Sequence, residues 1–203
     1  MKIEFFHNVT CGYCYIMSSR LEEVLKEFPD AEVVHKAFPL NYYPSETDLE
    51  SYEDKKENAV KKWRGANMVD EQKRFNIEGF ENADFASPNS KKAMTAIRAA
   101  SLAGLDYGEV FDYFQSALFE KALNIEDETV IKKLIHQLDL DYDLWESYYE
   151  NPETMAIDEA DFKLVEDYGI DLIPAYVVNE ETVIQGAKRT DLLSDLFKET
   201  LDK

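Results

Sequence analysis

Only two of the 203 residues are cysteine, too few for a disulfide framework. Positive charge is scarce as well. Twenty-two Lys and Arg stand against 42 Asp and Glu, a formal charge of −20. A chain this acidic lacks the basic surface that nucleic acid or an anionic membrane surface demands, which excludes both as partners. The single stretch rich in Lys and Arg, Lys55 to Arg74, is interleaved with Glu57, Asp70 and Glu71 and reads as a solvated helix face. No apolar run approaches the ~20 residues of a membrane span. The opening Met1-Lys2-Ile3-Glu4-Phe5-Phe6 lacks the charged-then-apolar stretch of a signal peptide, so a cytoplasmic location, with thiols kept reduced, is expected. Repeats and low-complexity linkers are missing too. What is present is core material: 45% hydrophobic and 13% aromatic residues, enough for a folded globule.

The pattern along the chain predicts β-α-β, a long helical block, then α-β-β-α. Residues 2–7 and 32–38 read as strands. Leu21, Val24, Leu25 and Phe28 form one helical face between them, ended by Pro29. Pro39 and Pro44 bracket a loop. Helices are expected over 48–65 and, more weakly, 68–75, with loop at 76–87. Ser87-Pro88 reads as cap and first residue of the next helix, which stops at Gly104. Phe111, Phe114 and Leu118 share a face, Asp127 caps another helix, and residues 142–150 form a short aromatic one. A helix over 153–168 is expected to bury Ile157, Ala160, Leu164 and Tyr168, with Gly169 as its C-cap. Residues 175–178 and 182–184 make a hairpin, and Thr190 caps a last helix. The organisation this implies is one α/β domain split into residues 1–43 and 153–203, with residues 44–152 inserted as an all-helical unit.

The two cysteines fall at Cys11 and Cys14, a C-x-x-C between the first strand and the first helix. Free N–H groups and the macrodipole at a helix N-terminus favour a thiolate. Cys11 at the helix tip is therefore the expected nucleophile, and Cys14, one turn inside, the thiol that resolves the mixed disulfide. Gly12 leaves access open and Tyr13 offers an apolar rim. Other readings stand beside this one. Cys11, Cys14, His7 and His35 are chemically able to bind zinc, although the spacing is unusual. The cysteines could be buried structural residues, or the fold a binding platform. No metal or resident cofactor is expected.

The Cys11-Gly12-Tyr13-Cys14 motif, Ile173-Pro174 before a strand, Phe38-Pro-Leu-Asn, the Asn89–Asp106 and Phe119–Asp127 segments, Tyr168-Gly-Ile-Asp-Leu-Ile-Pro-Ala and Gln185-Gly-Ala together resemble the DsbA family, closest to its cytoplasmic FrnE-like subfamily. The resemblance implies an α/β thioredoxin fold with a large helical insertion and a dithiol–disulfide oxidoreductase or isomerase. Cys11 and Cys14 would be its redox pair and Pro174 a cis-proline facing them. Ile173 would offer backbone groups to substrate, with Tyr13 at the rim. Glutathione or a thioredoxin-type partner is the implied reductant. Disulfide-bearing proteins or small thiols are the substrates, basic ones favoured by the charge, for a monomer or homodimer. Two departures matter. Gly12-Tyr13 places no His between the cysteines, and Phe5 stands where many thioredoxin-fold enzymes carry an acid. Relatives of the same fold point elsewhere, to adaptors that deliver clients to a protease or to glutathione-dependent isomerases and transferases. The latter carry a lone nucleophile at the position of Cys11, and the second cysteine here argues against them.

Overall fold

A computed structural model describes residues 1–43 and 50–201. Pro44, the first two residues of the helix expected at 48, and the start of the expected insertion lie outside the described residues. The central sheet has the order β2-β1-β3-β4. It consists of β1 (Lys2–His7), β2 (Glu32–Ala37), β3 (Ala175–Val178) and β4 (Thr182–Gln185). β2 runs parallel to β1, from Lys2 opposite Glu32 to His7 opposite Ala37. β3 is antiparallel to β1 and β4 antiparallel to β3. The parallel pair needs a crossover, and α1 (Gly12–Leu25) supplies it.

Among the described residues, six helices lie between β2 and the next helix of the sheet half: α2 (Tyr52–Val69), α3 (Ile77–Asn82), α4 (Lys91–Leu102), α5 (Tyr107–Phe119), α6 (Glu128–Ile135) and α7 (Tyr142–Tyr149). Then follow α8 (Pro152–Asp167) and, after the hairpin, α9 (Thr190–Leu201). Strand alternation divides the sheet's side chains between two layers. Ile3, Phe5 and Tyr176 pack with Met17, Leu21 and Val24 of α1 and Leu193 and Phe197 of α9. On the other face Phe6 and Val177 meet Val165 of α8. The inserted helices build their own core, where the buried Trp145 indole donates to the Ala96 carbonyl at 3.0 Å.

Several elements depart from expectation. Residues 70–76 are not helical. Asp70 ends α2, and its carboxylate accepts the Arg74 backbone N–H at 2.8 Å and the guanidinium at 3.0 Å. Arg74 then lies over the Tyr15 ring, so this end of the basic stretch is half-buried rather than solvated. The segment read as loop contains α3, capped by Asn76 and pinned by the buried Phe80. α4 starts at Lys91, not after Ser87; Ser90 holds the cap position but its hydroxyl donates to the Leu40 carbonyl, and the Asn89 side chain accepts the Lys91 N–H instead. Thr190 is the first residue of α9 rather than its cap.

The largest departure is the face that α8 buries. Ile157 and Ala160 are exposed, while Asp158 and Asp161 are buried. Arg98 of α4 bonds both carboxylates at 2.9–3.0 Å. Asp161 also receives Lys36 and the Ala37 backbone N–H of β2. Apolar periodicity misreads this helix because its inner face seats an ion network that ties the insertion to the edge strand.

Candidate redox site

β1 ends at His7, and the chain turns over Asn8–Cys11 to enter α1. The Cys11 N–H donates to the Asn8 carbonyl at 3.0 Å. The Asn8 side chain accepts from the Thr10 N–H and hydroxyl and donates to the Phe38 carbonyl and the Ser90 hydroxyl. Cys11 is the N-cap of α1, with extended backbone, and its Sγ accepts the Cys14 N–H at 3.4 Å. Both cysteines are free thiols.

The two sulfurs sit in opposite electrostatic settings. The Cys11 thiol is held below its ordinary pKa, first because the Cys14 thiol donates to it and then because the backbone N–H groups of Cys14 and Tyr13 point at it; burial opposes these. The Cys14 thiol is pushed well above its ordinary value. Burial is the main cause, followed by its hydrogen bond to Cys11 and the repulsion between the two sulfurs. The ordering is what a helix N-terminus produces. Cys11 is less open than its place at the helix tip suggests, at 8% exposure against 0% for Cys14. Gly12 explains why. Its role is close approach rather than open access, since a Cβ there would meet the Phe75 ring at 3.0 Å and Ala66 of α2 at 3.3 Å. Tyr13 is 41% exposed at the rim, its hydroxyl beside Gly65 of α2.

The Ile173–Pro174 peptide bond is cis. Ile173 packs in one apolar cluster with Cys11, Cys14, Phe6 and Ala175. The approach to Pro174 is held by Gln185 of β4, whose carboxamide oxygen accepts the Asp171 and Leu172 N–H groups and whose nitrogen donates to the Gly169 carbonyl. The structure therefore gathers Cys11, Cys14 and Ile173 in one cluster, with Pro174 next to Ile173 in the chain and Tyr13 between the cysteines.

The histidines do not join the thiols. His7 Nε2 and His35 Nδ1 pair at 2.9 Å, and the His7 ring packs 3.9 Å from Phe111. Burial lowers both pKa values, that of His35 to about 4. Among the described residues no three His, Cys, Asp or Glu side chains are grouped to hold a metal ion. Phe5 is fully buried against Tyr176, and Glu4, on the opposite face of β1, is bonded by the Tyr168 hydroxyl and Lys2.

Beside Cys11 opens a cavity of about 400 Å³ between the redox loop and the insertion, within the size range of small-molecule sites. Trp63, Ala66 and Leu118 give it an apolar wall, and Lys55, Asn58 and Lys62 of α2 a polar one. Lys62 is exposed, as a solvated helix face requires, and it lines this cavity as well; nothing local in the sequence marks the far wall of the pocket. Sequence reading missed Gln115 altogether. This fully buried residue of α5 directs its carboxamide nitrogen at the backbone of the redox loop, 3.2 Å from the Cys11 carbonyl.

Residues 2–198 match the DSBA-like thioredoxin domain family. No curated relative matches the sequence. Among solved structures, the cytosolic disulfide reductase DsbM from Pseudomonas aeruginosa, determined with GSH, superposes with a TM-score of 0.76 at 16% identity, covering 100% of both chains. A 2-hydroxychromene-2-carboxylate isomerase gives 0.69 at 11% identity, covering 99% of this chain and 96% of that one. The thiol-disulfide exchange protein α-DsbA2 from Wolbachia pipientis gives 0.59 at 12%, covering 98% and 81%. At these identities the likeness is one of fold. No helix among the described residues is long and apolar enough to cross a membrane.

Proposed function

Because the chain belongs to the DSBA-like thioredoxin domain family, we propose that it is a thiol–disulfide oxidoreductase working through Cys11 and Cys14, with glutathione as reductant. The observation that carries this reading is the opposed tuning of two thiols one helical turn apart, with Cys11 favoured as thiolate and Cys14 held protonated. The Cys11 thiolate attacks one sulfur of a substrate disulfide, forming a mixed disulfide and expelling the other sulfur as thiolate. Cys14 loses its proton, attacks Cys11 Sγ and releases the second substrate thiol. The chain is left with a Cys11–Cys14 disulfide. One glutathione thiolate then opens that bond at Cys11, leaving Cys14 as the free thiol, and a second attacks the glutathione sulfur of the mixed disulfide and expels the Cys11 thiolate, giving glutathione disulfide and the dithiol. Isomerisation of a bound substrate uses the same first attack, after which another thiolate of the substrate attacks the mixed disulfide, forms the new substrate disulfide and releases the Cys11 thiolate.

Glutathione suits the cavity by chemistry. It is a small thiol with two carboxylates and one ammonium, net charge −1, and the pocket offers Lys62 and Glu50 as charged groups, an apolar wall and Cys11 at one end. The GSH in the Pseudomonas reductase structure is consistent with this assignment. Ile173 and Pro174 would lie along a bound substrate chain, and Tyr13 at its edge. The −20 charge favours basic disulfide substrates through association rate. A cytoplasmic site and the division into residues 1–43, 44–152 and 153–203 belong to the same reading.

The test is selective alkylation with trapping. At neutral pH iodoacetamide should label Cys11 well before Cys14, and Cys14→Ser treated with oxidised glutathione should retain one glutathione on Cys11. Preferential labelling of Cys14, or no adduct in the variant, overturns the assignment.

A further inference from the structure

The loop that carries Cys11 is buried, and a buried loop needs donors for its carbonyl groups. Asn8 and Val9 are fully inaccessible to solvent. Their carbonyls and that of Cys11 converge on one atom, Gln115 Nε2, at 3.5, 3.3 and 3.2 Å. Gln115 belongs to α5 of the insertion, and it is fully buried. Its Oε1 has no partner, so the side chain is held by what its nitrogen donates.

We infer that Gln115 is the positioning residue through which the helical insertion sets the reactivity of Cys11. The Cys11 carbonyl is also the first acceptor of α1, taking the Tyr15 N–H at 3.2 Å. Its direction is thus shared between the helix and the Gln115 amide. The amide fixes the plane of the Cys11–Gly12 peptide, and with it the aim of the following N–H groups of Tyr13 and Cys14 at the sulfur. It also places the positive end of a side-chain dipole beneath the N-cap, adding to the field of the helix terminus. Gln115 touches neither sulfur nor substrate. Its effect passes through the backbone.

The alternative is that Gln115 only fills space and satisfies carbonyls. The two differ in the thiol itself. Gln115→Met keeps length and shape but removes both donors. Gln115→Glu, protonated in so buried a place, keeps a single O–H donor. Val110→Ala, on the same helix and also buried, serves as a control for loosened packing. The rate of Cys11 alkylation is followed from pH 5 to 10 in each full-length protein, with folding checked by circular dichroism. The inference rests on Cys11 being the reactive thiol, and this readout reports that thiol without requiring disulfide exchange. Gln115→Met should move the alkylation midpoint upward and slow labelling at pH 7 several-fold. Gln115→Glu should fall between it and the wild type, and Val110→Ala should leave the midpoint unchanged. A wild-type midpoint in folded Gln115→Met overturns the inference. Should that variant fail to fold, a wild-type midpoint in Gln115→Glu does so equally. A wild-type midpoint together with faster labelling of Cys14 would instead strike at the redox assignment on which the inference rests.

Discussion

The sheet half and the helical insertion divide the work of the site unequally. The sheet half holds every atom proposed to react. Its β1–α1 junction carries both sulfurs, and the residues before β3 carry Ile173, which packs with them, and the cis Pro174. The insertion contributes no sulfur. It supplies a pocket wall through Trp63 and Lys62, a donor to the redox loop through Gln115, and a buried anchor through Arg98. The difference teaches that a small redox scaffold can keep its chemistry local while leaving reductant choice and fine tuning to elements added elsewhere in the chain.

Four expected outcomes bear on that division. The largest separates chemistry from its setting. Cys11→Ser should reduce turnover of a disulfide substrate to the uncatalysed background, whereas no single insertion variant that folds should do so. An assay of glutathione-dependent disulfide reduction decides, and a folded insertion variant with background turnover would break the contrast.

The second concerns the anchor. Removing the guanidinium in Arg98→Met leaves Asp158 and Asp161 buried without their shared cation, and breaking such a pair costs about 3–5 kcal/mol. Urea unfolding should show that loss. A change below about 1 kcal/mol would mean that the insertion is held by its apolar contacts alone.

The third sets the two halves against each other in pH. Burial holds the sheet residue His35 near a pKa of about 4, below the unfolded value of 6.5. The folded chain then binds fewer protons, so this contribution is present above pH 6.5 and lost as pH falls through about 4. Asp112 of the insertion is the reverse case. Burial raises its carboxyl from 3.8 to about 6, so the folded chain binds more protons and stability falls as pH rises across that window. Each is worth up to roughly 3 kcal/mol. His35→Gln should flatten the acid arm of the stability curve, and Asp112→Asn should raise stability at pH 7.5 relative to pH 4.5. Unchanged pH slopes would remove both assignments.

The smallest effect belongs to the pocket. Lys62→Ala should raise KM for glutathione about fivefold, as the loss of an exposed cation worth up to ~1 kcal/mol implies. The rate of Cys11 alkylation should stay at the wild-type value. A wild-type KM would move the glutathione site away from α2.

What the sequence shows, it shows where cause and effect are local. The C-x-x-C at a strand–helix junction, the apolar face of α1 and the Asp127 cap are short-range patterns, and they are found where they were expected. Long-range polar pairing leaves no such trace. Nothing in the neighbourhood of Asp158 reveals Arg98, 60 residues away, so periodicity assigned the wrong inner face to α8. Gln115 lies 104 residues from the carbonyl it serves, and a lone Gln among the Phe residues of α5 carries no motif. Gly12 was read as an opening when it is a contact, because the ring that fills its place comes from Phe75. The apolar pattern thus located the layers, while the polar residues that join them had to be seen in space.

The central claim, that Cys11 and Cys14 form a working dithiol–disulfide couple, is tested most directly by equilibrating the protein across a series of glutathione redox buffers and following the mass of the intact chain. The account predicts one cooperative two-electron transition. The dithiol should lose two hydrogens to give an intramolecular disulfide at a potential between those of thioredoxin and glutaredoxin, about −270 to −200 mV. A chain that stays reduced throughout, or that accumulates only glutathione adducts without closing the Cys11–Cys14 bond, would contradict it.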